Sequence, residues 1–301
     1  MEGGFIEKGL LKSILHKRDT FAHKGDFGRG LIVAGCKEMS GAAILAARAA
    51  LRSGIGLLHV HVPESIYNCV QGAVPEAMVE RDAMDDYVFA DTKLEIGRYN
   101  AVAVGPGLGQ GPRQCAALEA LLTQQRQLLQ AHPQATRPIV LDADALNIIA
   151  ANPALLQFLG EHCILTPHPG EFDRLLSADN DQAQKTSHNY EQRLAQGIEF
   201  AQKYKVHLVL KGARTAVIQP SGSYLINPTG NPGMATGGSG DVLTGILLSL
   251  LAQHYTCHQA SLLGVYLHGL SGDIALEKES QESLVASDLY KNLGAAFKTL
   301  I

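Results

Sequence analysis

Short apolar runs alternate with longer stretches of helical spacing almost from end to end of this chain. Residues 31–34 (Leu-Ile-Val-Ala) predict a strand, and 41–53 carries Ala, Ile and Leu at helical spacing until Gly54 stops it. Residues 57–62 and 101–104 predict two more strands, and 115–129 a helix. Residues 138–142, 163–166 and 206–211 repeat the theme, each a near-continuous apolar run of the kind parallel strands need when helices cover both faces. Between Arg214 and Asn227 the pattern becomes Thr-Ala-Val-Ile-Gln, a Pro-Ser-Gly-Ser turn and Tyr-Leu-Ile-Asn, which predicts antiparallel edge strands. Helical patterns then cover 242–252, 258–277 and 287–299, while the polar stretch 178–188 reads as the most exposed loop. The expected fold class is α/β, a mostly parallel central sheet flanked by helices on both faces with a short antiparallel hairpin at one edge. No repeat, low-complexity tract or linker interrupts it, so residues 1–301 are expected to form one domain.

The strongest chemical signal opens the 242–252 helix. In Asn231-Pro-Gly-Met-Ala-Thr-Gly-Gly-Ser-Gly-Asp241, the loop Gly237, Gly238, Ser239 and Gly240 lets backbone N–H groups converge, and the helix adds roughly half a positive charge at its N-terminus. Polyphosphate suits such a site. Asp241, a carboxylate placed in that field, makes sense as a base for a hydroxyl about to be phosphorylated; the alternative is an ordinary acidic helix start. Two familiar nucleotide motifs are missing. The glycines of Gly105-Pro-Gly-Leu-Gly-Gln-Gly111 alternate and do not match G-x-G-x-x-G, and no G-x-x-x-x-G-K-[ST] occurs.

The other candidates also fall at predicted strand ends, where ligands settle in open α/β sheets. Asp142 and Asp144 follow one strand; a charged pair there needs a metal, a substrate or a cap, and capping is the reading for Asp144. Thr166-Pro-His-Pro-Gly-Glu171 stiffens His168 between two prolines, with Glu171 opening a helix. Lys211-Gly-Ala-Arg-Thr215 offers two cations either to a nucleotide or to solvent.

Composition narrows the partners. A net charge of −4 gives no basic footprint for nucleic acid, and no apolar run reaches the ~20 residues of a membrane helix. Five scattered cysteines without a C-x-x-C pair suit reduced thiols in a cytoplasm, and the N-terminus lacks a signal-peptide pattern.

Seven segments together resemble one family. They are His23-Lys-Gly-Asp-Phe-Gly28, Ser40-Gly-Ala-Ala43, Val104-Gly-Pro-Gly107, Leu141-Asp-Ala-Asp-Ala-Leu-Asn147, Leu165-Thr-Pro-His-Pro-Gly-Glu171, Val209-Leu-Lys-Gly-Ala-Arg-Thr215, and Asn227-Pro-Thr-Gly-Asn231 with Gly237-Gly-Ser-Gly-Asp241. In order and over nearly the whole chain, they are similar to the NAD(P)H-hydrate dehydratases of the ribokinase-like superfamily. That resemblance implies a ribokinase-like fold and nucleotide-driven repair of NADHX or NADPHX. ADP is expected over ATP as co-substrate, since the compact chain lacks an epimerase-like segment, and Mg²⁺ is expected on the phosphates. It implies that Ala42, Gly107, His168 and Asp241 bind the hydrated dinucleotide, with Asp241 as the catalytic base. Lys211, Gly212, Ala213, Arg214, Thr215 and Gly240 would hold the adenine nucleotide, and Glu171 would organise Mg²⁺ through water. A homotetramer without membrane or nucleic-acid partners is expected. Because only a short segment precedes the motifs, no epimerase domain is expected here. The rivals are a vitamin or sugar kinase of the same superfamily, in which Asn typically stands where His168 does, and a silent nucleotide-sensing module.

Overall fold

The computed structural model describes residues 3–132, 137–179 and 189–301. The first half of the chain runs β1 (Gly4–Phe5), α1 (Lys8–Ile14), β2 (Arg29–Val33), α2 (Ser40–Arg52), β3 (Leu57–Val62), α3 (Glu64–Ala73), β4 (Met78–Arg81), β5 (Ala101–Val104) and α4 (Pro112–Ala131). Next come β6 (Ile139–Leu141), α5 (Asp144–Ala151), β7 (Cys163–Leu165), α6 (Pro169–Ala178), α7 (Tyr190–Tyr204) and β8 (His207–Leu210). The chain finishes with β9 (Ala216–Ile218), β10 (Tyr224–Ile226), α8 (Ser239–Ala252), α9 (Cys257–Ala275) and α10 (Ala286–Lys298).

All ten strands join one sheet in the order β1-β10-β9-β8-β7-β6-β5-β2-β3-β4. From β4 across to β8 every neighbouring pair is parallel, and only β9 is antiparallel to its neighbours on both sides. The hairpin predicted over 214–227 is β9 and β10, with the two-residue β1 added outside it. Alternation along the strands explains their unbroken apolar sequences. Ile32, Val60, Val140, Ile164 and Val209 point into the layer of α2, α8, α9 and α10. Leu31, Val33, Val104, Leu141 and Leu208 point into the opposite layer of α4 to α7. Both faces are dry, as parallel strands require.

Every residue of α8 from Val242 to Ala252 is buried, the mark of a helix inside the core and not on its surface. It lies against α2 at very short range. A Cβ on Gly245 would stand 2.0 Å from the carbonyl oxygen of Ala46, so only glycine permits this approach.

Several elements escaped the sequence pattern. Strand β4 is a half-exposed edge reading Met-Val-Glu-Arg, and α3 and α7 are surface helices that bury only a narrow stripe, Ile66 and Val70 in the first and Gln196, Gly197, Phe200 and Ala201 in the second. The exposed loop expected over 178–188 lies outside the described residues except for Ala178 and Asp179. Those two are buried at the end of α6, with Asp179 accepting a 2.6 Å bond from Lys203. The five cysteines are free. No helix among the described residues is long and apolar enough to cross a membrane.

Candidate active site

Chain order places the site. From β2 the chain crosses to β3 on one side, and from β5 it crosses to β6 on the other, so the switch in winding direction falls between β2 and β5. Ligands of open α/β sheets settle at the C-terminal end of such a switch. There Gly35 N–H donates to the Pro106 carbonyl at 2.8 Å, tying the loop after β2 to the loop after β5. Gly107 adopts a left-handed φ of 65°, and a Cβ on it would stand 3.0 Å from Ala42 Cβ and 3.1 Å from Met39 Cβ. Ala42 and Gly107, predicted as substrate contacts, are therefore close neighbours, with Met39 beside them.

The glycine loop begins α8. Gly238 is its N-cap, with φ of 88°, and a Cβ there would lie 2.4 Å from Leu45 Cδ1, so the helix start abuts α2 close to Ala42. The loop is shorter than expected. Ser239, Gly240 and Asp241 already belong to the first turn, and of the three loop glycines only Gly238 uses positive φ. At Gly240 the missing side chain gives space instead: a Cβ would stand 3.3 Å from Lys211 Nζ and 3.8 Å from Asp142 Oδ2. Gly237 faces open space. From α9, His268 Nε2 bonds the Ser239 carbonyl at 2.9 Å; burial pushes this imidazole down to about 4, so it donates as the neutral ring and pins the turn.

Asp241 sits in that first turn beside an ion-pair cluster. Burial raises its carboxyl to about 6, with Asp142, Asp144 and Glu171 adding to the effect and Lys211 opposing it. Lys211, at the end of β8, donates to Asp142 Oδ1 at 2.9 Å and lies 3.8 Å from Glu171 Oε2. Its ammonium is held above the usual lysine value by these carboxylates, against the opposing pull of burial. Asp142 is 1% exposed, and its second oxygen accepts a 2.7 Å bond from Thr244 of α8. The partner that a buried carboxylate demands is thus a lysine and a threonine.

His168 is the N-cap of α6. Its Nδ1 accepts from the N–H groups of Gly170 and Glu171, while Glu171 Oε2 accepts from His168 N–H at 2.8 Å, a reciprocal capping box. Burial lowers its pKa against the opposing pull of Glu171, with Lys211 and Arg174 adding to the effect; Nδ1 accepts the cap bonds, which leaves the ring proton on Nε2, 3.3 Å from Glu171 Oε1. The side chain remains half exposed, free to meet a ligand.

Gly212, Ala213 and Arg214 form an exposed turn beyond Lys211, closed by the Thr215 hydroxyl donating to the Gly212 carbonyl at 3.1 Å. Asp144 does not cap its helix as expected. The N-cap is Ala143, held at φ of 49°, and the Asp144 carboxylate reaches across to Gly109 N–H at 2.8 Å and Gln110 Nε2 at 2.7 Å. It fastens the β5 loop to α5. Thr244 and His268 were missed by the sequence reading. A single threonine three residues after Asp241 in an apolar helix was a usable signal for the first; the second had none, since α9 meets α8 only through the fold.

No group of three His, Cys, Asp or Glu among the described residues could hold a metal ion. Both oxygens of Asp142 are engaged, and Glu171 serves its own cap. This donor set fits a divalent cation carried in on phosphates and reached through water, not one caged by protein.

Comparison with known proteins agrees with this geometry. A family model described as NAD(P)H-hydrate dehydratase matches residues 30–294. The bifunctional NAD(P)H-hydrate repair enzyme of Moorella thermoacetica is 37% identical over 96% of this chain and 53% of its own length. The chain therefore spans about half the length of such bifunctional relatives. The ADP-dependent (S)-NAD(P)H-hydrate dehydratase of Bacillus subtilis is 36% identical, covering 96% of this chain and 95% of its own. Among solved structures, the ADP/ATP-dependent NAD(P)H-hydrate dehydratase from B. subtilis, co-crystallized with ATP/Mg²⁺, superposes with a TM-score of 0.81 at 32% identity over the full length of both chains.

Proposed function

The chain belongs to the NAD(P)H-hydrate dehydratase family, and from that premise we propose that it restores NADH or NADPH from their hydrates, NADHX and NADPHX. An adenine nucleotide drives the loss of water. ADP is the preferred co-substrate, giving AMP and phosphate, in line with the name of the B. subtilis relative matched over nearly its whole length. The observation that carries the reading is Asp241. It is a half-buried carboxylate in the first turn of α8, beside the Lys211 ammonium, on a helix start that abuts α2 close to Ala42.

In this reading the terminal phosphate lies over the N–H groups of Gly238 to Gly240, with Lys211 beside it and the nucleoside along the exposed 212–215 turn. Asp241 accepts the proton of the ring hydroxyl as that oxygen bonds to phosphorus and the phosphoanhydride bond breaks. The C–O bond then breaks with phosphate as leaving group, and the adjacent ring carbon gives up a proton to restore the double bond. Phosphate leaves readily where hydroxide does not. Glu171 would hold Mg²⁺ through water, and that ion, when bound, supplies charge neutralisation on the transferring phosphate. A cytoplasmic homotetramer belongs to the same reading, and the free cysteines suit that compartment.

The test is recovery of absorbance at the reduced-nicotinamide band when NADHX is mixed with protein, Mg²⁺ and ADP or ATP, with one phosphate released per NADH formed. Phosphorylation of a stable vitamin alcohol without NADH recovery would instead make the chain a kinase. Nucleotide binding without turnover of either kind would make it a sensor.

His168 gives a sharper check. Asparagine is itself a strong N-cap, so His168→Asn keeps the α6 cap and removes only the exposed imidazole edge. The KM for NADHX is expected to rise about tenfold, the loss of one uniformly made contact, with the KM for ADP nearly unchanged. Steady-state kinetics with each substrate varied in turn measure this. Equal KM values in wild type and variant would remove His168 from the dinucleotide site.

A further inference from the structure

Thr244 is fully buried in an otherwise apolar stretch of α8, and a buried hydroxyl is costly unless it is bonded. Two other buried hydroxyls at helix positions bond back along their own helix. Ser53 donates to the carbonyl of Ala49, and Ser261 to that of Cys257. Thr244 does otherwise. Its hydroxyl crosses from α8 to Asp142 Oδ2 at 2.7 Å, a partner 102 positions away in sequence. Asp142 in turn gives its other oxygen to Lys211 at 2.9 Å. The ammonium and Asp142 Oδ2 both border the open side of Gly240, 3.3 and 3.8 Å from where a Cβ would be.

The geometry points to Thr244 and Asp142 as positioning residues that hold the Lys211 ammonium against the terminal phosphate of the bound adenine nucleotide. The inference rests on the functional reading above and gives roles in it to Thr244 and to Asp142, neither of which the family resemblance assigns. An ammonium has three donors, and one is spent on Asp142. The remaining two can turn toward the helix start and the anion above it. A buried ion pair is favourable only when further hydrogen bonds satisfy its spare lone pairs, which is what the Thr244 hydroxyl does for Oδ2. Without that bond the carboxylate is free to rotate toward Gly240. It would then present negative charge to the phosphate and draw the ammonium away with it.

Three variants test this: Thr244→Val, which keeps the shape and deletes the hydroxyl; Thr244→Ser, which keeps the hydroxyl; and Asp142→Asn. Calorimetric titration with ADP is expected to show affinity weakened about tenfold or more in Thr244→Val and in Asp142→Asn, and within about twofold of wild type in Thr244→Ser. In kinetics the KM for ADP should rise with the binding loss while the KM for NADHX stays within about twofold. A purely structural threonine would lower the melting temperature and leave the ADP affinity of the folded protein unchanged, and that result overturns the proposal. Equal losses for both ligands overturn it as well. Because the ADP titration needs no turnover, a wild type that binds ADP but leaves NADHX untouched would sink the functional reading, while the valine and serine variants still decide the positioning role.

Discussion

Asp241→Asn is expected to lower turnover by about 10²–10⁴-fold, the range for loss of a positioned general base, while fold and ADP binding persist. Asparagine keeps the shape and can still accept a hydrogen bond, so what disappears is the ability to take a proton. The pH profile separates this from a structural effect. Burial raises the Asp241 carboxyl to about 6, so wild-type turnover should fall as pH drops below about 6 and the base becomes protonated. The variant's residual activity should lack that limb. Stability gives a second sign. An acid whose folded pKa lies above its unfolded value binds its proton more tightly in the folded state, so ionising it costs stability as pH rises from about 4 through 6. Removing it should leave the variant melting no lower than wild type at pH 7. A variant that turns over near the wild-type rate yet melts several degrees lower would make Asp241 a helix-terminus residue and nothing more.

The legible part of the fold was the part with a local cause. Strands buried on both faces write continuous apolar runs, so β3 and β5 were read to the residue and β2, β6, β7 and β8 to within two. An edge strand such as β4 is sheltered on one side only, and its sequence carries no such run. At the site, glycine clusters and charges at strand ends were visible because each breaks an apolar pattern. Their partners were not. Sequence shows that Asp142 needs something, but the identity of that something, Lys211 and Thr244, is settled by the pairing of β6 with β7, of β7 with β8, and by α8 packing against β6. Asp144 illustrates the same limit. Its position at a helix start suggested a cap, whereas Ala143, left-handed at φ of 49°, turns the chain so that the carboxylate faces the β5 loop. The glycine loop was overextended for a related reason: a glycine that provides space, Gly240, looks the same in sequence as one that provides positive φ, Gly238.

Lys211→Met should be the most disruptive substitution for stability and for nucleotide binding at once. Methionine matches the length and bulk of the lysine stem, so packing is retained and the charge alone is lost. What remains is a cluster of Asp142, Glu171, Asp144 and Asp241 around a site without a cation. Removing one partner of a buried ion pair typically costs roughly 3–5 kcal/mol, because the abandoned charge stays buried. The loss should depend on pH, and its sign follows from the carboxylates. Lys211 opposes the upward shift of Asp241, so without it the folded-state carboxyl rises further above its unfolded value. The folded variant then binds protons more tightly than the unfolded chain does, and its stability must fall as pH rises. Denaturant unfolding at pH 5 and pH 8 should therefore find a larger deficit against wild type at pH 8. Titration at either pH should show ADP binding largely gone, since the phosphate would meet three or four carboxylates with only the helix terminus to offset them. A deficit of equal size at both values would show that ionisation of the neighbouring carboxylates does not set the loss, and undiminished ADP affinity would place the phosphate elsewhere.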